Sequence, residues 1–153
     1  MRDFKNKVAV VTGAASGIGK ALSVLLAERG AVVALVDINA EGLDGTADQI
    51  GSVGGVCSKH VVDVANRDAV EALAAEVVRQ HGGVHLLINN AGVSVVDRVE
   101  DIAYDDFEWL MNINFWGVVY GTKSFLPHLK RADEAHIVNI SSLFGILSVP
   151  LQS

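Results

Sequence analysis

The sequence feature that most constrains the fold is a glycine-rich turn between an apolar run and an amphipathic segment. Residues 7–20 read KVAVVTGAASGIGK. The apolar run Val8–Val11 is typical of a buried strand, and Gly13, Gly17 and Gly19 follow it before a helical pattern begins. Glycine permits positive φ and close approach to the backbone, and a helix N-terminus offers free N–H groups to an anion. The turn therefore predicts a phosphate-binding loop, with an ordinary strand-to-helix turn as the alternative.

The rest of the chain repeats this alternation of apolar strands and amphipathic helices. Short apolar runs predict strands at Val8–Val11, Ala31–Val36, Val56–Val62, Val84–Ile88 and His136–Ile140. Helical periodicity predicts helices at Gly17–Arg29, Ala40–Ile50, Arg67–Gln80 and Tyr104–Arg131, the last as one helix or as two that meet near Asn112–Asn114. The alternation is typical of a three-layer α/β fold with a doubly wound parallel sheet of order 3-2-1-4-5. At 153 residues the chain is expected to form one domain, residues 1–153.

Polar residues and a glycine follow the predicted strands where each strand ends. They are Thr12, Gly13, Asp37, Asp63, Asn89, Asn90, Ser141 and Ser142. Because the carboxyl ends of parallel strands share one edge of the sheet, these residues are expected to converge beside the crevice where the strand order reverses. Simpler interpretations stay open: Asp37 as a helix N-cap, Asp63 and the serines as turn residues, and the asparagines as partners of nearby backbone groups.

Asp37 is the residue that indicates which dinucleotide would bind. At the predicted end of the second strand its carboxylate can accept hydrogen bonds from a ribose 2′,3′-diol. A 2′-phosphate beside it would be repelled, and neither Ser16 nor Ile38 offers that phosphate a positive charge. A dinucleotide bound by this chain is therefore predicted to be NAD rather than NADP.

Charge and composition narrow the expected partners. The net charge is −6 and no run of Lys or Arg occurs, so neither nucleic acid nor a membrane is an expected partner. The single cysteine, Cys57, and five scattered histidines form no metal-binding pattern, so no metal is expected. The apolar run after the charged start MRDFKNK is too short for a signal peptide or a spanning helix, which favours a cytoplasmic protein.

Taken together, the motifs resemble the N-terminal portion of a classical short-chain dehydrogenase/reductase. The resemblance rests on Thr12-Gly13-x-x-x-Gly17-x-Gly19, Asp37, Asp63-Val64, Asn89-Asn90-Ala91-Gly92, Asn114 in INFWG, and Val138-Asn139-Ile140-Ser141-Ser142-x-x-Gly145. These motifs follow the order and spacing of the family from about Lys7 to the end of the chain. The resemblance implies a Rossmann fold and hydride transfer between NAD and a secondary alcohol or ketone.

The resemblance also implies a role for each motif residue. The pyrophosphate and adenosine side of NAD would be held by Gly13, Ser16, Gly17, Ile18 and Gly19, and Asp37 would select NAD. Asp63 and Val64 would bracket adenine, and the nicotinamide ribose would contact Asn90, Ala91 and Gly92. Ser142 would hydrogen-bond the substrate oxygen, and Asn114 would kink the long helix and anchor a water of a proton relay. The apolar residues after Ser142 suggest a lipophilic substrate.

The family's acid/base is a tyrosine about 13 residues after the serine, with a lysine four residues further on. Counted from Ser142, the tyrosine would lie about two residues beyond Ser153. The chain is therefore expected to be a fragment whose fold is truncated after strand five, and to bind NAD without turnover. The alternatives are a non-catalytic dinucleotide-binding module and an interaction fragment. By resemblance, the whole protein is expected to form a homodimer or homotetramer through the helix Phe115–Leu129.

Overall fold

Five parallel strands form the centre of the protein. A computed structural model describes residues 3–147. The strands are β1 Val8–Thr12, β2 Val32–Asp37, β3 Val56–Val61, β4 Leu86–Asn89 and β5 His136–Asn139. They pair in the order β3-β2-β1-β4-β5, and every pairing is parallel. The predicted α/β architecture and strand order are confirmed, and the order reverses between β1 and β4.

Helices connect the strands and cover both faces of the sheet. They are α1 Gly17–Glu28, α2 Ala40–Ser52, α3 Arg67–His81, α4 Tyr104–Met111 and α5 Gly117–Leu129. A π-helical turn, Asn112–Trp116, joins α4 to α5, and a 3₁₀ turn, Leu143–Gly145, follows β5. The predicted junction near Asn112–Asn114 is therefore found at a π-helical turn, the usual way in which a helix accommodates one extra residue. Within residues 3–147 no helix is both long and apolar enough to span a bilayer.

The core lies on the two faces of the sheet. Successive strand residues point to opposite faces, so a strand buried on both sides has to be apolar throughout. Val11 and Leu35 pack with Leu26 of α1 and Ile50 of α2 on one face. On the other face the core side chains include Val10, Val36, Leu73, Val77 and Phe125. The central strands β1 and β2 are thus held between two helical layers.

Most element ends differ by one or two residues from the sequence-based expectations, and two of the differences can be explained by specific contacts. The interpretation of Asp37 as a helix N-cap is wrong, because α2 begins at Ala40 and Asn39 Oδ1 accepts the N–H of Gly42 at 3.0 Å. Strand β4 begins at Leu86 rather than at Val84. Before it, the N–H of His85 donates to the carbonyl of Val8, and His85 Nδ1 accepts the N–H of Val8, so these residues join β1 just before the ladder begins.

Helix α5 approaches the end of β4 very closely. A Cβ on Gly121 would lie 2.5 Å from Asn89 Oδ1. Asn89 is 3% exposed, and its Nδ2 donates to Thr122 Oγ1 at 3.2 Å and to Asn139 Oδ1 at 2.9 Å. The asparagine therefore links β4, β5 and α5, and it leaves no space for a side chain at position 121.

Replacing Gly121 by alanine is expected to lower the free energy of unfolding by about 1–2 kcal/mol, because the steric conflict with Asn89 outweighs the gain in helix propensity. The matched control is Gly45→Ala in α2, where the nearest atom, Lys20 Nζ, is 4.0 Å from the added Cβ. Gly45→Ala is expected to raise the same free energy by about 0.5–1 kcal/mol. Urea unfolding of both variants measures the difference, and equal stabilisation of the two would contradict the packing described.

Candidate functional site

The loop between β1 and α1 packs tightly against the rest of the protein at two of its three glycines. Gly13 has φ +68, and its Cβ would lie 2.8 Å from Asn90 Nδ2. A Cβ on Gly19 would overlap the carbonyl oxygen of Gly13. Gly17 has φ +51, but its Cβ would meet no atom within 4 Å. The loop is therefore packed against the protein at Gly13 and Gly19 and open to the outside at Gly17.

The N-terminus of α1 is left without a side-chain cap. Ser16 is at the N-cap position, yet its side chain makes no capping hydrogen bond, and the first turn holds no acidic residue. The N–H of Lys20 donates to the carbonyl of Ser16 at 3.0 Å, so the helical hydrogen bonds begin only there. The N–H groups of the first turn and the positive end of the helix dipole are thus available to an anion.

Contacts from β2 and α2 hold the loop in this shape. The N–H of Ala14 donates to the carbonyl of Val36 at 3.1 Å. The N–H of Ala15 donates to Asp37 Oδ2 at 3.0 Å, and the hydroxyl of Thr46 donates to the carbonyl of Ala14 at 2.9 Å. Because these three bonds lie within the protein, the loop keeps its conformation without help from a ligand.

The hydroxyl of Thr12 ties the end of β1 to the end of β4. It accepts the N–H of Asn90 at 2.9 Å and the N–H of Ala91 at 3.0 Å, and it lies 3.4 Å from the carbonyl of Ile88. Asn90 Nδ2 in turn donates to the carbonyl of Thr12 at 2.9 Å. The asparagine is therefore a partner of nearby backbone groups, as the simpler interpretation predicted, at the point where the strand order reverses.

A cleft of about 390 Å³ opens at this edge of the sheet. Ten of the eleven residues predicted to bind the cofactor line it: Gly13, Ser16, Gly17, Ile18, Asp37, Asp63, Val64, Asn90, Ala91 and Gly92. Gly19 is buried behind the loop. The lining also includes Ile38, Val62, Val93 and Ile113, which the sequence motifs did not indicate as site residues. Their only signal in the sequence is that each is an apolar residue directly next to a motif residue.

The charged residues among the described residues that line the cleft are both acidic. Asp37 Oδ1 accepts the N–H of Asn39 at 3.0 Å, and Oδ2 accepts the N–H of Ala15, so each oxygen keeps a lone pair for a further donor. Asp63 Oδ1 accepts the N–H of Ala65 at 2.9 Å, so Asp63 is a turn residue as well as a lining residue. Within residues 3–147 no Lys or Arg lines the cleft. The cleft is suited to hydroxyl donors beside Asp37.

Asn114 and Ser142, the two predicted catalytic residues, lie outside the lining of the cleft. Asn114 Oδ1 accepts the N–H of Val93 at 2.9 Å, and its Nδ2 donates to the carbonyl of Val93 at 2.8 Å. Asn114 therefore links the π-helical turn to Val93, which lines the cleft. Ser142 is exposed, and its Oγ accepts the N–H of Phe144 at 3.1 Å at the start of the 3₁₀ turn.

A family model described as short chain dehydrogenase matches residues 7–153. The chain belongs to the short-chain dehydrogenase family. The chain is 46% identical over 153 residues to the Mycobacterium tuberculosis protein named "Putative oxidoreductase SadH", with 100% of this chain and 55% of that protein covered. It therefore spans about half the length of this curated relative.

Solved structures of other short-chain dehydrogenases share the fold closely. One, from Burkholderia phymatum in complex with NAD, has a TM-score of 0.95 and 37% identity, with 99% of this chain and 54% of that chain covered. Another, a metagenomic short-chain oxidoreductase in complex with NADP, has a TM-score of 0.93 and 33% identity, with 97% and 68% covered. The two structures contain different nicotinamide dinucleotides, so membership of the family does not by itself decide between them.

Replacing Thr12 by valine is expected to lower the free energy of unfolding by about 2–3 kcal/mol, because the N–H groups of Asn90 and Ala91 lose their acceptor in a buried place. Thr12 is 6% exposed, so water cannot readily replace the hydroxyl. Thr12→Ser is the matched control: it keeps the hydroxyl and loses one methyl group, at a cost of about 1 kcal/mol. Urea unfolding compares the two variants. Equal losses would show that the hydroxyl does not hold the β1–β4 junction.

Proposed function

We propose that the cleft binds NAD, and that the whole protein transfers hydride between NAD and a secondary alcohol or ketone. The observation that carries the proposal is the gathering of ten motif residues around one cleft at the point where the strand order reverses. Membership of the short-chain dehydrogenase family supports the oxidoreductase class. The similarity to solved structures in complex with NAD and with NADP supports a nicotinamide dinucleotide as the ligand.

The geometry of the glycine loop fits a pyrophosphate. The first-turn N–H groups of α1 would hold it, and the open space at Gly17 would let it approach the backbone. Asp63 and Val64 would border adenine, and the residues from Asn90 to Gly92 would border the nicotinamide ribose. When bound, NAD accepts or donates the hydride. The contribution of the described residues is to bind and orient it.

Asp37 supports NAD over NADP. Its carboxylate is oriented by two backbone N–H groups and keeps acceptor capacity for the two hydroxyls of a ribose. A 2′-phosphate in the same place would meet this negative charge, and no Lys or Arg among the lining residues would offset it.

The catalytic roles follow from the resemblance. Ser142 would hydrogen-bond the substrate oxygen, Asn114 would anchor a relay water, and the tyrosine and lysine of the family would follow Ser153 in the whole protein. Tyr104 is 86% exposed at the start of α4, and Tyr120 of α5 stacks on Trp116 of the π-helical turn. Neither tyrosine is among the described residues that line the cleft, so neither is positioned as its acid/base. We therefore propose that the 153-residue chain binds NAD without turning over a substrate.

An oligomer through the helix that carries Phe115–Leu129 is the second proposal. Phe115, Trp116 and Leu126 are 49%, 42% and 36% exposed, whereas Phe125 and Leu129 on the same segment are buried against the sheet. An apolar surface of this kind favours contact with another apolar surface. A second copy of the protein would supply one, which gives a homodimer or a homotetramer.

Gly17→Ala is expected to weaken the binding of NAD by at least about tenfold, because the added methyl group occupies the space into which the pyrophosphate would fit. The matched control is Gly54→Ala. Gly54 has φ +71 and no atom within 4 Å of its Cβ, and it does not line the cleft. Both substitutions place alanine at positive φ, at a similar cost of about 1 kcal/mol in stability. Calorimetric titration with NAD measures the two affinities, and an equal affinity in the two variants would contradict the proposed position of the pyrophosphate.

A further inference from the structure

A buried serine joins two histidines on the side of the sheet covered by α3. Ser58 and His60 lie on the edge strand β3, and His81 is the last residue of α3. Ser58 Oγ lies 2.9 Å from His60 Nε2 and 2.8 Å from His81 Nε2. Ser58 is 7% exposed and His60 is 5% exposed. No part of the cofactor site accounts for this cluster.

The protons of the cluster have to be arranged in one of two ways. A hydroxyl carries a single proton, so Ser58 donates to one imidazole and accepts an N–H from the other. Glu76 Oε1 lies 3.8 Å from His60 Nδ1, which favours a proton on that nitrogen. His60 Nε2 is then the acceptor of the serine proton, and His81 Nε2–H donates to Ser58 Oγ. All three groups can be satisfied only while at least one of the two imidazoles is neutral.

We propose that His60, Ser58 and His81 form a pH-sensitive latch that fastens the edge strand β3 to the end of α3 and is opened by acid. The latch lies apart from the proposed dinucleotide cleft and does not depend on it. It acts on the strand that leads into the cleft, because Val62, Asp63 and Val64 follow β3 directly and line the cleft.

Protonation removes the acceptors on which the latch depends. One added proton at His60 Nε2 can be accommodated if the proton on His81 moves from Nε2 to Nδ1, because the serine then donates to His81. A second proton turns both Nε2 atoms into donors. Both then point at Ser58 Oγ, the serine proton has no acceptor, and two positive charges lie on either side of one oxygen.

The surroundings of the latch do not compensate for this charge. From α3, Glu76 and His81 face His60; from β2, the residue opposite His60 is the apolar Val36. Lys59, on the same strand, pairs with Asp44 of α2. The charged or titratable groups around the cavity of about 330 Å³ that His81 lines are His85, His128, Arg131 and Asp133. One acid among three basic side chains gives a cation at His81 little stabilisation.

The directions of the pKa shifts agree with this environment. Burial lowers the pKa of His60, Glu76 raises it by a smaller amount, and His81 lowers it further. Burial also lowers the pKa of His81. The unfolded chain therefore binds protons at a higher pH than the folded chain does. The stabilisation is complete above about pH 6.5, the ordinary histidine pKa, and is lost as the pH falls from there through the lowered values of the folded state.

Burial also decides against a catalytic interpretation of the cluster. A Ser–His–Glu chain occurs in enzymes that use serine as a nucleophile. Ser58 is buried, its Oγ already has a histidine on two sides, and a substrate carbonyl would have no place beside it.

The unfolding of the 153-residue chain in urea between pH 8 and pH 5, without any cofactor, tests the latch. The two protons that His60 and His81 take up on unfolding are expected to raise the unfolding constant by as much as about 100-fold for each unit by which the pH falls, in addition to the contribution of His85, whose pKa burial also lowers. His60→Gln is expected to reduce this rise by about tenfold per pH unit, because one of the two protons is no longer involved. His128→Gln, a histidine of the same cavity without a bond to Ser58, is the control and should leave the slope unchanged. A slope for His60→Gln equal to that of the unmodified chain would overturn the proposal.

The tautomers of the two histidines provide a test that needs no variant. Nitrogen-15 NMR of the imidazoles at pH 8 is expected to show the proton on Nδ1 in His60 and on Nε2 in His81, because only opposite tautomers can share one hydroxyl. The same tautomer in both histidines, or two histidines that titrate at the ordinary pKa of about 6.5, would overturn the proposal. Since no cofactor is present in either experiment, a negative result here leaves the proposed NAD site unaffected.

Discussion

The hydroxyl of Thr12 makes the contact on which the rest of the site depends. It accepts two consecutive backbone N–H groups from the chain that leaves β4, where the strand order reverses. The chain leaves β1 toward the helix α1 on one face of the sheet and leaves β4 toward the helix α5 on the other, and the separation of these two segments creates the crevice. Because Thr12 and Asn90 bond to each other at the base of the crevice, the separation begins at a defined position.

The glycine loop above this junction is supported from the neighbouring strand rather than from a ligand. Asp37 both accepts the N–H of Ala15 and faces the cleft, so one carboxylate contributes to the shape of the loop and to the charge of the site. A preformed loop lowers the ordering cost of binding. Strand β3 lies on the other side of β2, and the residues that follow it, Val62, Asp63 and Val64, line the cleft. The proposed latch on β3 therefore shares no residue with the cleft but directly precedes these lining residues in the sequence.

The sequence was sufficient to predict the sheet order and most of the cleft lining. It left open whether residues 104–131 form one helix or two that meet near Asn112–Asn114, and the structure has two helices joined by a π-helical turn there. Periodicity indicates which residues are buried, and parallel topology brings strand ends together, so the grouping of Asp37, Asp63 and Asn90 followed from pattern. The hydrogen-bond partners of individual polar groups could not be predicted from the sequence pattern. Asn39, not Asp37, caps α2, because the exact start of a helix depends on local geometry that a pattern does not contain.

The Ser58–His60–His81 cluster shows a second limit of sequence analysis. Its two histidines are 21 positions apart in the chain and match no metal-binding or catalytic spacing. Only the packing of α3 on β3 brings both of them to one hydroxyl. Likewise, the sequence predicted that Asn90 could bond to nearby backbone groups, but not that the carbonyl of Thr12 would be its partner. The predicted roles of Ser142 and Asn114 toward a substrate stay predictions, since their observed contacts are to backbone groups of the protein itself.

We propose that this cleft is an NAD site in which Asp37 determines the preference for NAD over NADP. Calorimetric titration of the unmodified 153-residue chain with NAD and, separately, with NADP at neutral pH is the decisive experiment. We expect saturable binding of NAD at one site per chain, with NADP bound at least about tenfold more weakly, a difference of about 1.4 kcal/mol. Equal or tighter binding of NADP, or no saturable binding of NAD by the folded chain, would contradict it.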